Sequence, residues 1–187
     1  MQHVFLVGAK SLGAYGGYET FINKLTEYHQ NNKNIKYHVA CKANGQGAKR
    51  PDGVLEVSKG RYVYHNTDCF EICVPEKLGS AQAIYYDCAA LGKCIQIIKK
   101  EKIEKPIVYV MACRIGPFFF HYVRVIHGLG GRVFLNPDGR DDIIEETGRK
   151  ASKIRLRDTI VSYPEHKYAL PSIPVLTAKP AYAMPES

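Results

Sequence analysis

Short apolar runs alternate with longer segments of helical periodicity along residues 1–139, and this alternation narrows the folds open to the chain more than any other feature. HVFLVG (3–8), IKYHVAC (35–41), IVYVMAC (107–113) and RVFLN (132–136) are β-rich and too short for stable helices, so each reads as a strand. RYVYHN (61–66) and CFEICVP (69–75) supply two further strands, and VLEV a short one inside the polar loop Lys42–Gly60. Between them, ETFINKLTEYHQ (19–30) carries Phe21, Ile22, Leu25 and Tyr28 at helical spacing. In residues 80–100, Ile84, Cys88, Leu91, Ile95 and Ile98 form one face, with Ser80 as the expected N-cap and closing lysines that suit a helix C-terminus. PFFFHYVRVIHGLG (117–130), opened by Pro117 and closed by glycines, predicts a third helix. Strands that alternate with helices predict an α/β fold, a Rossmann-like, mostly parallel sheet with helices on both faces.

The chain is long enough for one well-buried domain with a tail: 187 residues, 45% of them hydrophobic, with 13 Tyr and 7 Phe. From Arg140 the grammar changes. RDDIIEETGRKASKIRLRDT is heavily charged with little apolar periodicity, and Pro164, Pro171, Pro174, Pro180 and Pro185 punctuate the end. The reading is a domain over residues 1–139 and an irregular, poorly ordered tail over 140–187, charged and then Pro-rich.

No stretch approaches the roughly 18 apolar residues of a spanning helix, and the N-terminus lacks the build of a signal peptide, so the expected location is cytoplasmic. The six cysteines lie mostly in apolar segments without a CxxC pair or a matching His spacing. They read as buried, reduced thiols, and no metal or cofactor is expected. The net charge of +8 is uneven: residues 1–139 carry 18 basic and 11 acidic side chains, leaving +1 for the remainder. Such a front half suits anionic partners, whether phosphorylated substrates, a lipid surface or nucleic acid.

VGAKSLGAYGGYETF (7–21) places Gly8, Gly13, Gly16 and Gly17 between the first strand and the first helix. In an open parallel sheet that is where backbone N–H groups and a helix N-terminus meet an anion. The spacing is neither a P-loop, since Ala14-Tyr15 follows Gly13, nor G-x-G-x-x-G. A tight packed turn and a diphosphate cradle fit the spacing equally well.

Three separated stretches say more than the spacing does. HVFLVGAKSLGAYGGYETFINKLTEY, YHNTDCFEICVPEKLGSAQAIYYDCAAL and ACRIGPFFFHYVRVIHGLGGRVFLNPDG resemble the N-terminal half of bacterial GT-B fold glycosyltransferases, most closely rhamnosyltransferases of cell-surface polysaccharide synthesis. The resemblance implies an acceptor-side Rossmann-like domain that faces a second, donor-holding domain across a cleft. It implies a nucleotide-sugar donor such as dTDP-rhamnose, a lipid-linked saccharide acceptor and work at the inner membrane face, with peripheral contact to anionic lipid. Carried onto this chain, Gly16 and Gly17 would approach the donor diphosphate, and Tyr18, Glu19 and Thr20 would line the cleft. Arg114 would meet phosphate or sugar hydroxyls, as a strand-end arginine beside Gly116-Pro117 is also placed to do on chemical grounds. Asn136, Asp138 and Gly139 of NPDG stand at the next strand end. Asp138 is the candidate to orient or deprotonate an acceptor hydroxyl, against a plain turn role for Pro-Asp-Gly.

Other residues carry weaker signals. His65 and Asn66 are candidates for acceptor contact, against simple packing of a strand histidine. Asp87 reads as exposed or structural, and Lys99, Lys100, Lys102 and Lys105 as a solvated helix end before a lipid contact.

The resemblance stops after NPDG: the family continues with an acidic–Trp segment, whereas this chain has no Trp and reads RDDIIE. A truncated or frameshifted end, and weak or absent transfer by this chain alone, are the expectations. Sugar transfer needs the leaving diphosphate neutralised and shielded from water, which half a cleft does poorly. The alternatives are a non-catalytic nucleotide- or saccharide-binding module and a basic nucleic-acid binder. Scattered lysines and the lack of a recognition motif count against sequence-specific nucleic acid.

Overall fold

The computed structural model describes residues 1–13, 16–112, 114–115 and 118–136. Seven strands form one sheet: β1 (Gln2–Val7), β2 (Ile35–Lys42), β3 (Leu55–Ser58), β4 (Arg61–Tyr64), β5 (Thr67–Ile72), β6 (Ile107–Val110) and β7 (Arg132–Leu135), in the order β3-β4-β5-β2-β1-β6-β7. All pairings from β5 through β7 are parallel. β3 and β4 add an antiparallel edge. The α/β class is as expected, and the sheet is parallel wherever a helix links the strands.

β1 and β2 are the central strands and are buried on both faces over much of their length, which explains their nearly unbroken apolar sequences. Helix α1 (Gly17–Tyr28) covers one face, where Ile22 joins Leu6, Leu12, Val39, Tyr62 and Met111. Helices α2 (Gln82–Lys100) and α3 (Phe118–Gly128) cover the other, with Phe5, Val7, Phe70, Leu91, Val108 and Ile126 among the packed residues. At roughly 25 cal/mol per Å² of apolar surface, these two layers dominate what holds the domain together.

Three local expectations need correction. Ser80 does not cap α2: it lies in a short 3-10 turn (Glu76–Ala81), and Ala81 precedes the helix without a side-chain cap. The buried stripe of α2 is rotated from the expected one and runs through Tyr86, Asp87, Ala90, Leu91, Cys94, Ile97 and Ile98, leaving Ile84 exposed. Ile84 lies off that rotated face and is exposed, although Tyr86 two residues later is buried. Among the thiols, Cys41, Cys69 and Cys94 are buried, Cys88 half-buried and Cys73 exposed, while Cys113 and the 140–187 tail lie outside the described residues. Among the described residues no helix is long and apolar enough to cross a membrane, and no cluster of His, Cys, Asp or Glu is arranged to hold a metal.

Candidate functional site

The candidate site is built on the row of backbone that follows the parallel strands. Met111 N–H donates to the Val7 carbonyl (2.8 Å) and Asn136 N–H to the Val110 carbonyl (2.8 Å), so the ladders continue one step past β1, β6 and β7. Gly8, Met111 and Asn136 therefore stand side by side at the C-terminal edge. Gly8 has φ 115°, and a Cβ on it would lie 2.9 Å from the Ala112 backbone nitrogen. The first glycine of the loop is there because two strand exits pass too close for a side chain.

Gly8, Ala9 and Lys10 are each fastened to neighbouring parts of the domain. The Gly8 carbonyl accepts from Arg114 Nη2 at 3.0 Å. The Tyr86 hydroxyl lies 2.6 Å from the Ala9 carbonyl and 2.9 Å from that of Ala40, tying the loop to α2 and β2. Lys10 N–H donates to Glu19 Oε1 (2.8 Å), and the Lys10 carbonyl accepts from Lys42 N–H (2.6 Å). Ser11 is fully buried, and its hydroxyl has no hydrogen-bond partner among the described residues. Residues 8–10, the start of the loop, are thus fastened to α1, α2, β2 and Arg114.

Arg114 is the charged member of this edge. Its Nε and Nη2 donate to Asp87 Oδ2 (2.9 Å) and Oδ1 (3.1 Å), a side-on bidentate pair. Asp87 is completely buried, whereas the Arg114 side chain is 36% exposed. Burial pushes the Asp87 carboxyl above its usual range, against the pull of Arg114. For Arg114, burial pulls downward, but the bond to Asp87 raises the guanidinium further from deprotonation. A fixed cation at a strand end is the outcome, with its anchor in the core and its exposed part at the rim.

Gly16 is the N-cap of α1 and supplies no side-chain cap, and Thr20 N–H already bonds to its carbonyl (2.9 Å). A Cβ on Gly16 would fall on the Glu19 carboxylate, while one on Gly17 would meet nothing within 4 Å. The two glycines therefore differ: Gly16 makes room for an internal brace, and Gly17 borders open space.

The structure brings together Gly16, Gly17, Tyr18, Glu19, Thr20 and Arg114 around the ends of β1 and β6, with Asn136 at the end of β7. Within this group Glu19 is buried on Lys10, Tyr18 is half-buried beside the α1-side core, and Thr20 is exposed. Asp138 and Gly139 lie outside the described residues.

His65 and Asn66 are elsewhere. Strand β4 ends at Tyr64, and these two residues, with φ of 46° and 56°, form the two-residue turn into β5. Register places Thr67 level with Tyr37 and Val4, four residues before Gly8, so the turn lies beyond the opposite edge, more than about 13 Å away at 3.3 Å per residue. The strand read over residues 61–66 is therefore shorter, and His65 and Asn66 stand apart from the glycine loop because the antiparallel hairpin reverses the chain there. Lys36 Nζ bonds to the Asn66 carbonyl at 2.9 Å and holds the turn.

Sequence reasoning missed Tyr86 and Asp87 as the anchors of the loop. The available signal was a polar pair at the head of α2 in line with Ala90, Leu91, Cys94, Ile97 and Ile98, the stripe that faces the sheet.

A family model described as a domain of unknown function, DUF1972, matches residues 1–153. No curated protein matches the sequence. Among solved structures the chain is similar to one described as trehalose-6-phosphate from E. coli bound with UDP-2-fluoro glucose, at 12% identity and a TM-score of 0.42. That match covers 72% of this chain and 32% of the other, so the chain spans about a third of that protein's length.

Proposed function

The chain belongs to the DUF1972 family, and we propose that it is the acceptor-side domain of a sugar-nucleotide-dependent glycosyltransferase. One observation carries the reading: a braced glycine loop and an N-cap without a side chain share one edge with an arginine fixed by a buried aspartate. In sugar transfer the diphosphate leaves with negative charge, and preoriented N–H groups and a guanidinium stabilise that charge as it develops. Gly17 borders the space where such a group would lie, and Arg114 is the cation to meet it.

The finer reading, supported by the resemblance of the three sequence stretches, is rhamnosyl transfer from dTDP-rhamnose to a lipid-linked saccharide at the inner membrane face. Asp138 serves there as the carboxylate that orients or deprotonates the acceptor hydroxyl. Turnover requires the opposing donor-holding domain.

Calorimetric titration of the full chain with dTDP-rhamnose, UDP-glucose and free dTDP is the direct test. Saturable binding of a nucleotide sugar, weakened at least tenfold by Gly17→Val in a folded variant, is the expected result. A folded chain that binds none of the three, or a Gly17→Val variant that binds as well as the parent, overturns the reading. Transfer measured with a supplied second domain then separates an enzyme half from a non-catalytic module, and Asp138→Asn abolishes it if Asp138 is the base.

A further inference from the structure

At the antiparallel edge of the sheet, the turn between β3 and β4 and the outer face of α2 enclose a cavity of about 290 Å³. It lies at β4, three strands from β1, about 14 Å away at 4.8 Å per strand step, and shares no residue with the glycine-loop site.

Four basic side chains reach it from two elements: Lys59 and Arg61 from the hairpin, Lys93 and Lys100 from α2. Positions 93 and 100 are seven apart, so both lysines project from one side of the helix, with Gln96 and the nearly buried Ile97 between them. The carboxylates nearby are already engaged. Glu71 accepts two bonds from Arg50 (2.6 and 2.7 Å), and Arg61 is held by Asp68 and by Glu101 (3.1 Å). Lys59, Lys93 and Lys100 have no hydrogen-bond or ion-pair partner among the described residues. Three uncompensated ammonium groups around one concavity repel each other and concentrate anions there.

We propose that this cavity is a second anion site, one that takes a phosphate or diphosphate group through Lys59, Lys93 and Lys100, with Gln96 as a neutral hydrogen-bonding partner. The volume is at the lower end of ligand pockets and accommodates a small phosphorylated molecule or the headgroup of a phospholipid. Both sources offer the same chemistry to the three lysines.

The test uses the isotope-labelled full chain at constant ionic strength near 0.15 M, where surface charges more than about 8 Å apart are screened. Inorganic pyrophosphate is titrated while the amides of Gly60, Gln96 and Ile97 are followed by NMR. In parallel, vesicles of phosphatidylglycerol and of phosphatidylcholine are used in a flotation assay. The comparison is between Lys59→Gln/Lys93→Gln/Lys100→Gln and a control of equal charge change at exposed lysines away from the cavity, Lys33→Gln/Lys49→Gln/Lys77→Gln. Saturable pyrophosphate shifts at the cavity, with affinity reduced at least tenfold in the first variant and less than twofold in the control, support a site for a soluble phosphate. Flotation with anionic vesicles alone, lost only in the first variant, supports the headgroup as the source. Equal losses in both variants, or no saturable response to either probe, overturn the proposal. All six substituted lysines are exposed, and circular dichroism melts confirm folding in each variant.

Discussion

The two edges of this sheet each hold a buried aspartate against an arginine, and they solve the problem of a buried charge in different ways. At the C-terminal edge Asp87 has Arg114 as its side-chain partner, and burial leaves its carboxyl above the usual range. At the N-terminal edge Asp68 faces both Arg61 and His38, and His38 in turn bonds His3 at 2.9 Å. Burial again pushes upward there, but the bonds from His38 and Arg61 outweigh it and hold the carboxyl below its ordinary value. Each carboxylate receives two bonds, from one side chain at Asp87 and from two different ones at Asp68, and the balance of burial against those partners sets the direction. The first pair leaves a guanidinium partly open at the rim; the second closes on itself between strands β1, β2, β5 and β4.

The largest expected effect tests the closed network. Asp68→Ala leaves His38 and Arg61 without their common acceptor and costs about 3–5 kcal/mol in denaturant-induced unfolding. A loss below 1 kcal/mol would show that the network is not a structural keystone. Next comes Gly8→Ala, where a positive φ and the 2.9 Å approach to Ala112 act together. About 2–3 kcal/mol is expected from strain and overpacking, read from the same unfolding curves.

The open pair is expected to behave otherwise. Replacing both partners, Asp87→Leu/Arg114→Met, keeps stability within about 1 kcal/mol of the parent, because apolar groups of similar size often replace a buried ion pair without loss. Nucleotide-sugar affinity falls at least tenfold in the same variant if the pair exists to aim a cation. Equal losses of stability and affinity would make the pair structural.

Acid sharpens the contrast because the two carboxyls carry opposite signs. Asp68, with its folded pKa lowered, contributes stability that is present above about pH 3.9 and lost as pH falls through the lower folded value. Asp87, with its folded pKa raised, costs stability at neutral pH, and that cost shrinks as pH falls through the raised value toward about 3.9. His3, lowered first by burial and then by His38, adds acid sensitivity to the N-terminal edge as pH falls below about 6.5. Asp68→Asn should therefore flatten the loss of stability below pH 4, and Asp87→Asn should not; melting temperatures from pH 7 to 3 decide it.

The smallest effect concerns Gly17. Its Cβ position is open, so Gly17→Ala should change stability by no more than about 0.5–1 kcal/mol, on the stabilising side, as a helix residue without added contacts. Set beside Gly8→Ala, it separates a glycine demanded by backbone packing from one that borders open space.

Much of this fold was legible in the linear pattern, and particular residues show where legibility ended. The runs around Phe5, Val39, Val108 and Val133 announced strands because burial from both sides leaves no room for polar positions. The glycine-rich link between β1 and α1 was legible because a strand end followed by a helix start is a local arrangement. Ile84 misled, since the buried face of α2 is set by the polar pair Tyr86 and Asp87 and the residues in line with them, which rotates Ile84 out to solvent. The run through His65 and Asn66 was read as strand, whereas these two residues form a two-residue turn after Tyr64.

By itself the sequence determined the α/β class, the strand and helix order and the presence of a glycine-rich strand-to-helix loop, all of which follow from periodicity and backbone stereochemistry within a dozen residues. Only the tertiary structure decided that Asp87 anchors Arg114 across 27 positions, that Arg114 reaches the Gly8 carbonyl across 106, and that Lys59 converges with Lys93 and Lys100. Such partners meet through strand order and helix rotation, which are set by how whole layers pack, and no local pattern of residues encodes that.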